Sequence, residues 1–175
     1  MKKIELLQAG AIGDLIHRLD KDWALLTAGT KEQANTMTVS WGGVGVLWHK
    51  PMVTIYVRPE RYTYEFVERE EYFSLAFFAP EHRDSLVFCG KESGREHDKI
   101  ATCGFTLTES TESGVYFEEA DLVLVCKKRY RTPITLEQMI DTDPAPYYGG
   151  SHGNLHVMYM GEIVEIYTKE TDLCG

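Results

Sequence analysis

Arg58 and Arg61 place two guanidinium groups three residues apart in V-R-P-E-R-Y-T, where Pro59 ends a strand-like run and Thr63 is a plausible N-cap for a helix. Paired guanidinium groups suit a phosphate, and the free N–H groups and dipole of a helix start favour an anion as well. Upstream lies N-T-M-T-V-S-W-G, Asn35 to Gly42. Its alternation sets Thr36, Thr38 and Ser40 on one face of a half-buried strand and Met37, Val39 and Trp41 on the other. Gly42, Gly43 and Gly45 follow, and are expected to let backbone come close to a neighbour. A ledge of short polar groups beside an anion cradle fits a flat molecule with a phosphorylated tail. Taken alone, the two arginines read better as surface charges pairing with Glu60 or Glu65; their place beside a helix start with Tyr62 and Thr63 shifts the reading toward an anion.

Other constellations carry less. His152 and His156 lie four residues apart, as metal ligands sometimes do, but glycines flank His152 and no carboxylate or thiolate spacing accompanies them. No metal is expected, and His152, in a glycine-rich loop, is instead a candidate ligand contact. Ser40 lacks the G-x-S-x-G setting of a hydrolase nucleophile. Cys89, Cys103, Cys126 and Cys174 form no C-x-x-C pair; the first three sit in apolar surroundings and read as inert core fillers, and Cys174 in a frayed tail. The run K-K-R-Y-R, Lys127 to Arg131, reads as the solvated end of a strand, and a formal charge of −9 opposes nucleic acid as a partner.

The elements that must position these groups are short. Strands are expected near 23–30, 36–41, 52–57, 72–78, 105–108, 116–119, 122–128 and 155–168, with helices near 63–70, 81–91 and 98–102 and a long loop from Asp141 to Gly153. Strands at close spacing, with helices inserted irregularly, point to a mainly β protein: an antiparallel barrel with helical excursions. The 175 residues, 43% hydrophobic and 26% charged, fit one domain over 23–170, an N-terminal arm over 1–22 and a tail over 171–175. No apolar run approaches the roughly 20 residues a membrane span needs, and the N-terminus has no secretory pattern, so a cytoplasmic protein is expected.

Six blocks occur together: N-T-M-T-V-S-W-G, W-H-K-P at Trp48 to Pro51, V-R-P-E-R-Y-T, S-G-R-E-H-D-K at Ser93 to Lys99, F-E-E-A at Phe117 to Ala120 and G-E-I-V at Gly161 to Val164. In that order, over most of the chain, they make the sequence resemble the flavin reductase-like family of FMN-binding split barrels, and its flavoredoxin-like group. The resemblance implies a six-stranded split barrel that forms a homodimer around FMN. It implies that Asn35, Thr36, Met37, Thr38, Ser40 and Trp41 line the ring and ribityl chain, that Arg58, Arg61, Tyr62 and Thr63 hold the phosphate, and that Ser93, Gly94 and Lys99 close over the flavin, with Lys99 stabilising its reduced form. It implies no catalytic side chain, because the flavin performs the redox step, with NADH or NADPH as donor and a small-molecule or protein acceptor. A flavoredoxin-type electron carrier or flavin-storage protein is the alternative.

Overall fold

The apolar runs A-L-L-T-A-G, Y-F-S-L-A-F and L-V-L-V-C do not alternate, because both faces of the strands they form are covered. The computed structural model describes residues 2–4, 15–149 and 154–169. Its strands are β1 (Lys2–Ile4), β2 (Ala24–Gly29), β3 (Ala34–Val39), β4 (Gly42–Leu47), β5 (Lys50–Val57), β6 (Tyr72–Phe77), β7 (Leu107–Glu109), β8 (Val115–Phe117), β9 (Leu122–Pro133) and β10 (Val157–Thr168). The helices are α1 (Leu15–His17), α2 (Tyr62–Arg69), α3 (Arg83–Lys91), α4 (Lys99–Cys103) and α5 (Ala145–Tyr148).

The main sheet is antiparallel and runs β3-β2-β6-β9-β10-β5-β4, with β1 also pairing β10; β7 and β8 form a separate hairpin. The expected six strands are therefore seven on one path plus β1, and among the described residues no ladder joins β3 to β4 to close a barrel. These two edges are nonetheless consecutive in the chain. Only Ser40 and Trp41 separate Val39 from Gly42, and so short a link reaches at most about 11 Å. The sheet must curl until its edges nearly meet, leaving a seam.

Inside the curl, Leu26, Met37, Val39, Ile55, Phe73, Leu75 and Leu124 pack against Phe66 and Val67 of α2, which plugs one end. Outside it, Leu25, Ala76 and Val123 are covered by Leu86 and Cys89 of α3, by Phe105 and by Tyr116 and Phe117 of β8. Leu19, from the expected arm, joins the inner core.

Several expectations change on contact with tertiary structure. Gly42 to Leu47, outside the expected strands, is an edge strand paired with β5. Of its glycines only Gly42 makes a close approach, where a Cβ would meet the Thr54 carbonyl oxygen at 2.7 Å; Gly43 and Gly45 have open space around that position. Trp48 and His49 turn the β4–β5 hairpin with φ of 53° and 57°, the left-handed pair that such a two-residue turn demands. Thr63 lies inside α2, whose N-cap is Arg61. The basic run forms the exposed end of β9, as expected, and the strand continues to Pro133; Lys127 pairs with Glu71 at 2.8 Å, Arg129 with Glu162 at 2.6 Å and Arg131 with Glu68 at 2.9 Å, while Lys128 donates to the Val67 and Glu68 carbonyls. No described helix is long and apolar enough to cross a membrane.

Candidate functional site

The seam opens into a cavity of about 910 Å³ walled by Ser40, Trp41, Gly42 and Gly43 of the crossover, Tyr56 of β5, Tyr148 of α5, His156 ahead of β10, and Leu15, Ile16 and Leu19. A second cavity of about 300 Å³ shares Ser40, Trp41, Tyr56 and His156 with it and adds Arg58 and Arg61. A third, of about 120 Å³, shares Arg61 and adds Tyr62, Thr63, Ser93, Gly94 and Lys99. Shared walls make one path, from an aromatic chamber past two guanidinium groups to the start of α2.

Rings face one another across the chamber. The Trp41 and His156 centroids are 5.2 Å apart, Tyr148 and His156 5.5 Å, and Trp41 and Tyr147 6.0 Å. Tyr148 Oη and His156 Nδ1 share a hydrogen bond of 3.0 Å. Burial, and then the Arg58 charge, push His156 down to about 4, so the imidazole is neutral at ordinary pH. Arg58 donates to the Tyr147 carbonyl oxygen at 2.8 Å, and its guanidinium carbon lies 5.2 Å from the Tyr148 ring centre, tying α5 to the end of β5.

At the other end of the path the cations lean on a helix terminus. Arg61 donates to the Gly90 carbonyl at 2.8 Å; Lys99 Nζ donates to the carbonyls of Cys89 at 3.1 Å and Glu92 at 3.3 Å. The last turn of α3 presents carbonyls without intrahelical partners and the negative end of its dipole, which suits both cations. Lys99 is buried, and burial lowers its pKa to about 8; burial also lowers that of Arg61. Among the described residues no carboxylate forms an ion pair with either, whereas buried cations are ordinarily paired with an anion.

The expected site residues divide. Ser40, Trp41, Arg58, Arg61, Tyr62, Thr63, Ser93, Gly94 and Lys99 line the path, and Met37 and Thr38 line its middle chamber. Asn35 lines a separate cavity of about 610 Å³ with Tyr62, Gly94 and Lys99: its Nδ2 donates to Thr63 Oγ1 at 2.7 Å, and Gly94 packs so closely that a Cβ there would sit 2.0 Å from Asn35 Oδ1. Thr36 is fully buried; its hydroxyl donates to the Leu26 carbonyl at 3.1 Å and accepts from Thr27 at 3.0 Å. The Thr38 hydroxyl donates to the Leu86 carbonyl of α3. His152 lies outside the described residues.

Sequence reasoning missed Tyr56, Tyr148 and His156. The available signal was register: Val157 pairs with Val57, which brings the residue before β10 alongside the one after β5, His156 beside Arg58. Among the described residues no three His, Cys, Asp or Glu gather to hold a metal ion. The arrangement can lay aromatic side chains against a planar ring system and hold an anionic tail.

The profile of the flavin reductase like domain matches residues 16–174. No curated protein matches the chain. Among solved structures, flavoredoxin from Methanosarcina acetivorans is 23% identical with a TM-score of 0.68, the alignment covering 85% of this chain and 69% of that one. An FMN-binding protein from Thermus thermophilus is 17% identical with a TM-score of 0.67, covering 85% and 72%, and the Streptomyces globisporus C-1027 NADH:FAD oxidoreductase SgcE6 is 16% identical with a TM-score of 0.61, covering 84% and 75%. At such identities the likeness is one of fold. A profile match along nearly the whole chain, on a curled antiparallel sheet with an aromatic seam, makes this protein a member of the flavin reductase-like family.

Proposed function

We propose that the chain binds FMN in the seam and acts as an oxidoreductase, taking hydride from NADH or NADPH and passing electrons to a small-molecule or protein acceptor. The observation that carries this reading is the continuous path from the aromatic chamber to two desolvated cations, Arg61 and Lys99, with no carboxylate ion-pair partner among the described residues. A flat ring needs the first, and a phosphate supplies the anion that the second lacks.

On this reading Trp41 and His156 flank the ring and keep water from it, and Ser40 offers a hydroxyl to its polar edge. Arg58 and Arg61 meet the tail, and the start of α2, which has no capping side chain, offers its N–H groups with the Thr63 and Ser93 hydroxyls nearby. Lys99 shares the small cavity with Arg61, so its charge is assigned to the phosphate in place of the ring. FMN, when bound, accepts a hydride and passes its electrons on, chemistry that none of these side chains supplies. The split barrel is then β3-β2-β6-β9-β10-β5, six strands, with β4 as a flap.

That flap supports a homodimer. It is an edge strand whose outward residues include Val46 at 78% exposure, followed by Trp48 at 58%, an edge and an apolar patch that a second copy would cover. Cytoplasmic action agrees with a nicotinamide donor and with Cys89, Cys103 and Cys126 as free thiols. The likeness to a solved flavoredoxin favours a second reading, an FMN carrier with little NAD(P)H activity.

Anaerobic mixing of the FMN-loaded protein with NADH or NADPH separates the two. Rapid bleaching of the flavin absorbance is the expected result. Bleaching by dithionite alone selects the carrier, and protein that stays colourless after incubation with FMN rejects both.

A further inference from the structure

Cys89 and Cys103, 14 positions apart, come together in space: Cys89 on the buried side of α3 and Cys103 at the last residue of α4 have their sulfur atoms 3.7 Å apart. Cys89 is fully buried and Cys103 half-buried, so one of the two thiols can be reached. Gly104 follows in the left-handed conformation that ends α4, with open space where a Cβ would stand. The same two helices hold the anion pocket. The Cys89 carbonyl accepts from Lys99, the first residue of α4, and the adjacent Gly90 carbonyl accepts from Arg61.

We infer that Cys89 and Cys103 are a two-electron redox site, a thiol pair that a hydroperoxide converts into a disulfide joining α3 to α4. The Cys103 thiolate attacks one peroxide oxygen, the O–O bond breaks, and a sulfenic acid forms as the other oxygen leaves as hydroxide and takes up a proton. The Cys89 sulfur then attacks the Cys103 sulfur as its own proton departs, and the sulfenic oxygen leaves as water. With hydrogen peroxide, two thiols give up two electrons and two protons to the O–O bond, and one disulfide and two waters result. The order follows from access: burial pushes Cys89 up to about 12, which makes it the resolving partner, while the Lys99 charge eases its deprotonation. The sulfurs must close by less than about 2 Å to reach bonding distance. Any hydroperoxide that reaches Cys103 suffices, whether or not a flavin occupies the seam.

The full chain carrying Cys174→Ser, which removes the thiol of the tail, is treated with hydrogen peroxide, alkylated under denaturing conditions and mapped by mass spectrometry. The expected result is a single cross-linked peptide pair, about 2 Da lighter than the two thiol peptides combined, that joins Cys89 to Cys103 and disappears on reduction with dithiothreitol. Cys126 should still be alkylated. Closing a loop of about 15 residues should raise Tm by about 8 °C, reversibly. Cys89→Ser should stop at the Cys103 sulfenic acid and take up dimedone there. Over-oxidised Cys103 beside an alkylated Cys89 in the parent protein, or both thiols alkylated, would overturn the assignment.

Discussion

Replacing Arg58 and Arg61 together with Ala tests where the tail of the ligand lies. In the folded chain Arg61 is desolvated and donates to the Gly90 carbonyl at 2.8 Å; Arg58 is about a third exposed and stands 3.8 Å from Glu60. A charge-assisted hydrogen bond from a desolvated guanidinium to phosphate contributes about 1.5 to 3 kcal/mol, and one from a screened guanidinium about 1 kcal/mol. The double variant should therefore lose about 3 to 4 kcal/mol of FMN affinity, a factor of about 10² to 10³ in Kd. Riboflavin has the same ring and no phosphate, and its Kd should change by less than about threefold. Titration calorimetry or flavin-fluorescence quenching with both ligands gives the comparison, and circular dichroism checks the fold, because Arg58 also anchors α5. Equal losses for FMN and riboflavin would refute the assignment of these arginines to the phosphate.

Three further outcomes follow from individual contacts. Because burial holds Lys99 near a pKa of about 8, FMN affinity should fall by up to about tenfold per pH unit above that value, and Lys99→Met should flatten the slope; a wild-type profile without one removes Lys99 from the anion site. His156 has a folded-state value of about 4 against an ordinary 6.5, so between these pH values the unfolded chain binds more protons. Stability should drop by about 3 kcal/mol on going down through that window and level off below it, as measured by urea unfolding of wild type and His156→Gln, in which the drop should be absent. Gly94→Ala places a Cβ against Asn35 Oδ1 at 2.0 Å, strains the Asn35–Thr63 bond and should cost about 1 to 3 kcal/mol, whereas Gly45→Ala has room and should leave Tm within a degree or so.

What was legible in the sequence was local. The inward Met37 and Val39, the strand end before Pro59 and the short helix near 98–102 each depend on neighbours a few residues away, and each appears as read; Asp98 caps that helix, accepting from Ala101 N at 3.0 Å. What stayed hidden depends on pairing across long separations. The glycines of Gly42 to Gly45 look like a turn until β5 is laid beside them. His156 is 98 positions from Arg58 and meets it only through the β5–β10 register. Thr36 illustrates the converse: strand parity put it on the polar face with Thr38 and Ser40, but β2 and its Thr27 cover that hydroxyl.

Charge placement explains how so acidic a chain can still receive an anion. Along β9 and β5 most cations lie against carboxylates, with Arg129 and Lys50 both on Glu162, Arg131 on Glu68 and Lys127 on Glu71, so their charges are largely offset. At the seam the hydrogen-bond partners are carbonyl oxygens, Tyr147 for Arg58, Gly90 for Arg61, Cys89 and Glu92 for Lys99, and of the three cations Arg58 alone forms an ion pair among the described residues, with Glu60 at 3.8 Å. A carbonyl satisfies a donor's geometry and leaves its charge uncancelled, so Arg61 and Lys99 keep a formal positive charge within a chain of net charge −9. The three residues come from the end of β5, the start of α2 and the start of α4, and two of them converge on the C-terminus of one helix. Moving that helix end would displace Arg61 and Lys99 together, which ties the strength of the anion site to how firmly α3 is held against β3 and α4.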